Sequence, residues 1–110
     1  MAAVFGAMRI DRWDPRRDGP LTESALRRKI EGHGYTVSTR SWPAGTILSA
    51  QAQDRDRAHG VVSGIVKFTL DGETTILAGG DIAYMSRGAV RRIEVIGSAS
   101  ALCFDAEHAH

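Results

Sequence analysis

Val66-Lys67-Phe68-Thr69-Leu70-Asp71-Gly72-Glu73-Thr74-Thr75-Ile76-Leu77 is the stretch that decides the fold. Two short runs rich in β-branched and apolar residues flank a two-residue Asp71-Gly72 loop. Asp-Gly tolerates the positive φ angles of the tight turn that joins antiparallel strands, so the stretch predicts a hairpin. The same texture continues on both sides. Tyr35 to Trp42, Thr46 to Gln53, His59 to Ser63, Ile82 to Met85, Arg91 to Ile96 and Ala101 to Phe104 are all short and separated by Gly, Asp or Ser. That spacing predicts an all-β sandwich or barrel from about residue 35 onward.

Before Tyr35 the pattern differs. Met8 to Trp13 alternates loosely and reads as a short edge strand, followed by turn formers at Asp14-Pro15 and Asp18-Gly19-Pro20. Thr22 offers a hydroxyl cap, Glu23 an acid in the first turn, and Leu21, Ala25, Leu26 and Ile30 share a helical stripe that Gly32 or Gly34 ends. Arg27, Arg28 and Lys29 sit near the negative end of that helix. The expected organisation is one domain: residues 1–34 as an N-terminal extension of strand and helix packed outside, and residues 35–110 as the barrel. Met8 is a possible alternative start, which would leave residues 1–7 as a loose extension.

Composition narrows the function classes. The 110 residues carry 14 Lys plus Arg against 13 acids, a net charge of +1, so no broad basic surface for nucleic acid or membrane is expected. With Cys103 as the single cysteine no internal disulfide can form, and a reducing cytoplasm is the expected compartment. The apolar opening from Met1 to Met8 lacks a charged flank and is too short to span a bilayer, so neither signal peptide nor membrane anchor is read there.

The glycines then line up with a known pattern. Gly45-x5-Gln51-x-Gln53-x3-Arg57-x6-Gly64 has the spacing of the first cupin motif, and Gly80-x5-Ser86-x-Gly88-x2-Arg91-x3-Val95 that of the second. The chain thus resembles a small single-domain cupin over roughly Trp42 to Asp105. The resemblance implies a cupin-type jelly-roll β-barrel with one short N-terminal helix packed outside. Gly64, Gly72, Gly80 and Gly88 fall where such a barrel turns its corners. Ser86 stands where the second motif usually has proline, and Val95 where it usually has asparagine.

In the cupin pattern the two motifs supply three histidines and a glutamate that bind a divalent metal inside the barrel. Here those positions hold Gln51, Gln53, Arg57 and Arg91. A guanidinium stays protonated and has no lone pair to give, and amides are weak donors beside imidazole or carboxylate, so no metal and no other cofactor is expected. If Gln51 and Gln53 point inward as the family's histidines do, strand alternation puts Ile47 and Ser49 on their face. Arg57, His59 and Val61 would share the inward face of the next strand, with Arg91, Ile93 and Val95 opposite. The expected result is a pocket lined otherwise by Val66, Phe68 and Leu70, with two guanidiniums that suit an anionic, oxygen-rich small molecule.

Two readings of that pocket stay open. In the first, a metal-independent enzyme performs a non-redox isomerisation, cyclisation or proton transfer, with Arg57 and Arg91 polarising the anion and His59 moving the proton. Gln51, Gln53, Arg57, Arg91 and Phe68 would bind the ligand. In the second, a sensor or carrier holds the anion without turnover. A third reading, a divergent metal-dependent oxygenase, would recruit His59 with Asp54 or Asp56 through a shifted register. Against the functional assignments stand plain structural ones: Arg57 paired with Asp54 or Asp56, Arg91 with Glu94, and His59 as a packing residue. Tyr84 would be a second proton carrier only if inward, alternation from Arg91 turns Glu94 outward, and Cys103 reads as a small buried hydrophobe. His33 lies at the helix end and His108 and His110 in a frayed tail, too scattered for a metal site. Gly79-Gly80-Asp81 has no helix after it and is not a phosphate loop. Exposed edge strands make a homodimer the expected assembly.

Overall fold

Asp71 and Gly72 take φ angles of 49° and 84°, and the flanking strands β6 (Ile65–Leu70) and β7 (Glu73–Leu77) pair antiparallel from Leu70 opposite Glu73 to Val66 opposite Leu77. The hairpin is therefore a true two-residue turn with positive φ at both central positions. The structure is a computed structural model that describes the backbone of residues 2–5 and residues 8–108. The other strands are β1 (Ala2–Phe5), β2 (Met8–Asp11), β3 (Tyr35–Trp42), β4 (Ile47–Ala52), β5 (Arg57–Ser63), β8 (Ile82–Met85), β9 (Val90–Ile96) and β10 (Ala101–His108). They form two antiparallel sheets, in the orders β1-β2-β8-β5-β10-β3 and β4-β9-β6-β7.

The two sheets face each other across one core. Val66, Phe68 and Leu70 meet Val61, Leu77, Ile93, Val95 and Cys103 there, all of them buried. Alternation explains the composition, because every second residue of β5, β6 and β9 points into this layer. Met8 and Ile10 also enter it, so β2 is part of the barrel wall. This corrects the expectation of a strand packed outside. Residues 2–5 are not a loose extension either, since they pair along β2 from Ala2 opposite Asp11 to Phe5 opposite Met8. Residues 1, 6 and 7 lie outside the described residues.

A second apolar layer lies on the outer face of the six-stranded sheet. Helix α2 (Glu23–Glu31) lays Leu26 and Ile30 against Ala58, Ile82, Tyr84, Phe104 and Ala106. Its N-cap is Thr22, whose hydroxyl accepts from the Ala25 N–H at 3.0 Å. The expected turn after Trp13 closes instead into a one-turn helix, α1 (Pro15–Asp18), capped by Asp14. Asp18 ties the two helices together, with its carboxylate 2.8 Å from Arg17 and 3.0 Å from Lys29, and these partners hold it well below the usual carboxylate range. Among the described residues no helix is long and apolar enough to cross a membrane.

Candidate functional site

Four strands converge at one end of the barrel. On β5, Arg57 precedes His59 and Val61 in the inward row, and Val61 is in the core. On β9, Arg91 precedes Ile93 and Val95, both core residues. On β10, Ala101 and Cys103 point inward, so Asp105 and Glu107 continue that row while Phe104 and Ala106 face α2. On β4 the register against β9 slips by one residue, with Leu48 opposite Ile93 and Gln51 opposite Arg91. This bulge brings both Leu48 and Gln51 to the inner side, although they are three positions apart and strict alternation would put them on opposite faces. Ile47 pairs with Glu94 and is half exposed, so Ile47 and Ser49 do not share the face of Gln51 as alternation alone predicts.

The convergence forms a solvent-open cavity of about 320 Å³ lined by Gln51, Ala52, Gln53, Asp54, Arg57, Arg91 and Asp105. Its walls are polar apart from Ala52, which corrects the expectation of an apolar pocket. Val66, Phe68 and Leu70 are buried in the core and are not part of the lining. Gln53 is fixed by its backbone, which bonds Ala89 and Gly88 at 2.9 and 2.7 Å, and its amide donates to the Gln51 carbonyl at 2.9 Å.

The two guanidiniums differ. Arg57 is paired with Asp54 at 2.9 Å and with Glu107 at 3.6 Å, so its charge is matched, and the bond from Arg57 holds Asp54 below its ordinary range. Arg91 donates to the Gln51 amide oxygen at 3.3 Å and has no carboxylate within 4 Å among the described residues. Burial lowers its pKa, an effect that the charge of Asp105 opposes. Glu94 faces away, 3.4 Å from Arg92, and is no partner for Arg91. The carboxylate of Asp105, which the sequence reading did not single out, borders the same cavity and has no hydrogen bond or ion pair among the described residues.

His59 lies deeper than the cavity wall. It is 1% exposed and stacks between Trp42 and Phe68, with ring centroids at 5.7 and 5.9 Å. Neither ring nitrogen has a partner among the described residues. Burial, aided by the charge of Arg91, pushes its pKa down to about 3. The imidazole is therefore neutral at physiological pH and removed from the lining. Tyr84 faces α2 and packs on Tyr35 and His33, its hydroxyl pushed up to about 12 chiefly by burial. Cys103 is buried in the core, and burial followed by the Asp105 charge pushes its thiol up to about 12. His108 ends β10 rather than fraying, edge-on to Tyr35, and His110 lies outside the described residues.

The state of His59 has a measurable consequence. The unfolded chain binds its proton near pH 6.5 and the folded chain only near pH 3. Stability is thus highest above pH 6.5 and falls as the pH drops through that window, by roughly 1 kcal/mol per pH unit. His59→Phe keeps a flat ring between Trp42 and Phe68 and removes two unpartnered nitrogens. It is expected to raise stability by about 1 kcal/mol at pH 7 and to flatten the pH dependence between pH 6.5 and 4.5 in urea unfolding. An unchanged slope would refute this account of His59.

The donor set does not fit the divalent metal of the cupin pattern. Gln51, Gln53, Arg57 and Arg91 stand at the ligand positions, two of them cations, and the described residues hold no group of three His, Cys, Asp or Glu side chains placed to share an ion.

No family model matches the sequence, and no curated protein resembles it significantly. Solved structures do. A cupin protein from Bacteroides fragilis is similar at a TM-score of 0.61 and 23% identity, over 68% of this chain and 65% of that one. An RmlC-like cupin family protein with a double-stranded β-helix fold from Methanocaldococcus jannaschii gives 0.61 and 19%, over 67% and 69%. KdgF from Halomonas sp. gives 0.62 and 15%, over 94% of this chain and 80% of that one. The chain spans just under two thirds of the Bacteroides protein's length. At these identities the likeness establishes the fold, which is the cupin double-stranded β-helix.

Proposed function

We propose that this cupin-fold chain binds a small organic anion without a metal, and that a carboxylate is the group it recognises. The observation that carries the reading is the Arg91 guanidinium, half-buried at the end of the barrel, with an amide oxygen as its hydrogen-bond acceptor. A guanidinium left without an anion in a partly desolvated site is costly, and a planar carboxylate matches its fork of donors. The cavity, at about 320 Å³, sits at the small end of ligand pockets, which run from ~300 Å³ upward. Gln51 would share the ligand with Arg91, and Arg57, already paired, would supply field rather than direct contact.

Holding the anion is better supported than turning it over. The lining contains no imidazole, and His59 is both deeper and neutral. A proton-transfer enzyme would need a group poised near the working pH at the wall. The test is thermal unfolding of EDTA-treated protein against acetate, propionate, butyrate and succinate. A saturable rise in Tm with at least one of them, unchanged by EDTA, is the expected result. Stabilisation that appears only when a divalent metal is restored would overturn the reading.

A further inference from the structure

The lining carries more charge than one anion can match. Arg57 is matched by Asp54 and Glu107, which leaves two half-buried ions on the inner faces of strands β9 and β10: Arg91 and Asp105. They have opposite signs and both border the same cavity, yet they are not within 4 Å of each other and form no ion pair. Asp105 is fixed in place by pairing on both sides, opposite His59 on β5 and Ser38 on β3. Its carboxylate therefore cannot swing away with a loop when a ligand arrives.

A simple carboxylate on Arg91 would satisfy the cation and leave Asp105 as a second negative charge at the same wall. Like charges in a partly desolvated site repel, and the repulsion grows as the ligand expels water. A ligand that also carries a cation removes the conflict, because its positive group faces Asp105 while its carboxylate faces Arg91. We propose that the cavity selects a small ammonium carboxylate, a zwitterion with one charge for each of these two side chains. This inference rests on Arg91 as the carboxylate anchor.

The ligand is short. The cavity is small, and its polar walls offer little apolar surface for a hydrocarbon tail. Recognition would come from charge spacing, so the separation of ammonium and carboxylate sets affinity. The remaining amides of Gln51 and Gln53 would align the chain between the two ends.

Glycine, β-alanine and 4-aminobutyrate form a ladder of increasing charge separation, and acetate, propionate and butyrate are their partners without the amine. Isothermal titration of metal-stripped protein with all six is expected to show at least a 10-fold preference for one ammonium carboxylate over its amine-free partner. In Asp105→Asn that preference disappears, with the amine-free acid binding as well as before or better. Equal binding of the paired acids by the wild-type protein overturns the zwitterion inference and leaves the carboxylate reading standing. An unchanged preference in Asp105→Asn also overturns it. Failure of all six to bind overturns both. The wild-type comparison stands even if the variant does not fold.

Discussion

Arg91→Gln is expected to weaken carboxylate binding about 100-fold while leaving the folded state as stable as before, or slightly more so. The binding loss follows from removing a charge-assisted contact worth roughly 2–3 kcal/mol, at about 1.4 kcal/mol per factor of ten. The stability result follows from the surroundings of the side chain. Arg91 is partly buried, bonds only to Gln51 at 3.3 Å, and has no carboxylate within 4 Å among the described residues, so the fold gains little from its charge. Arg57→Gln is the control. Arg57 is already paired with Asp54 and Glu107, and its loss is expected to cost only a few-fold in binding. Calorimetry of ligand binding and urea unfolding on the same preparations would separate the two quantities. Equal effects of the two substitutions on binding would mean that Arg91 is not the anchor.

The largest effect on stability is expected at Gly64. This single residue links β5 in the six-stranded sheet to β6 in the four-stranded one, so the chain crosses between sheets within one step. It does so at φ 87°, and a Cβ there would lie 2.7 Å from the Ala101 Cα and 2.8 Å from the Ser100 carbonyl oxygen. Those are backbone atoms of β10 and the turn before it, and β10 is held on both sides by β3 and β5. They cannot yield as a flexible side chain would. Gly64→Ala should therefore cost about 3 kcal/mol or more, with a fall in Tm of at least ~10 °C. Gly45 offers the contrast, because it has a similar φ of 83° with nothing within 4 Å of the added carbon. Gly45→Ala should cost only the backbone conformation, about 1 kcal/mol. If both lose the same amount, the close approach at the sheet crossing is not what requires glycine.

Much of this architecture was legible in the residues, and the failures have specific causes. Asp71-Gly72 announced its hairpin, Thr22 its helix, and the rows Arg57-His59-Val61 and Arg91-Ile93-Val95 followed from alternation because β5 and β9 run without interruption between those positions. The bulge in β4 broke the same rule. Nothing between Leu48 and Gln51 marks the extra residue, since Ser49 and Ala50 sit as well in a strand as in a bulge. The last strand was cut short at Phe104 because Asp105, Glu107 and His108 look like a solvated tail. Asp105 is polar because the inward row of β10 passes from the core into the cavity, and that is why it escaped notice. Continuing the period of two from Ala101 and Cys103 would have found it.

His59 shows a different limit. Its place in the inward row was readable, but its depth was not. The rings that enclose it come from β3 in one sheet and β6 in the other, a contact that exists only after the sheets face each other. Sequence proximity carries no trace of it. The N-terminal strand was misplaced for a similar reason. Met8 and Ile10 reach the core only because β2 pairs with β8, more than seventy residues away.

The most direct test of the account follows the Arg91 side chain itself. In EDTA-treated, nitrogen-labelled protein titrated with propionate and with β-alanine, the guanidinium NMR signal of Arg91 should shift saturably, together with the Gln51 amide. The signal of Arg27, which lies on α2 away from the cavity, should stay in place. An Arg91 signal that never moves, or moves only after a divalent metal is added, would contradict a metal-free carboxylate site.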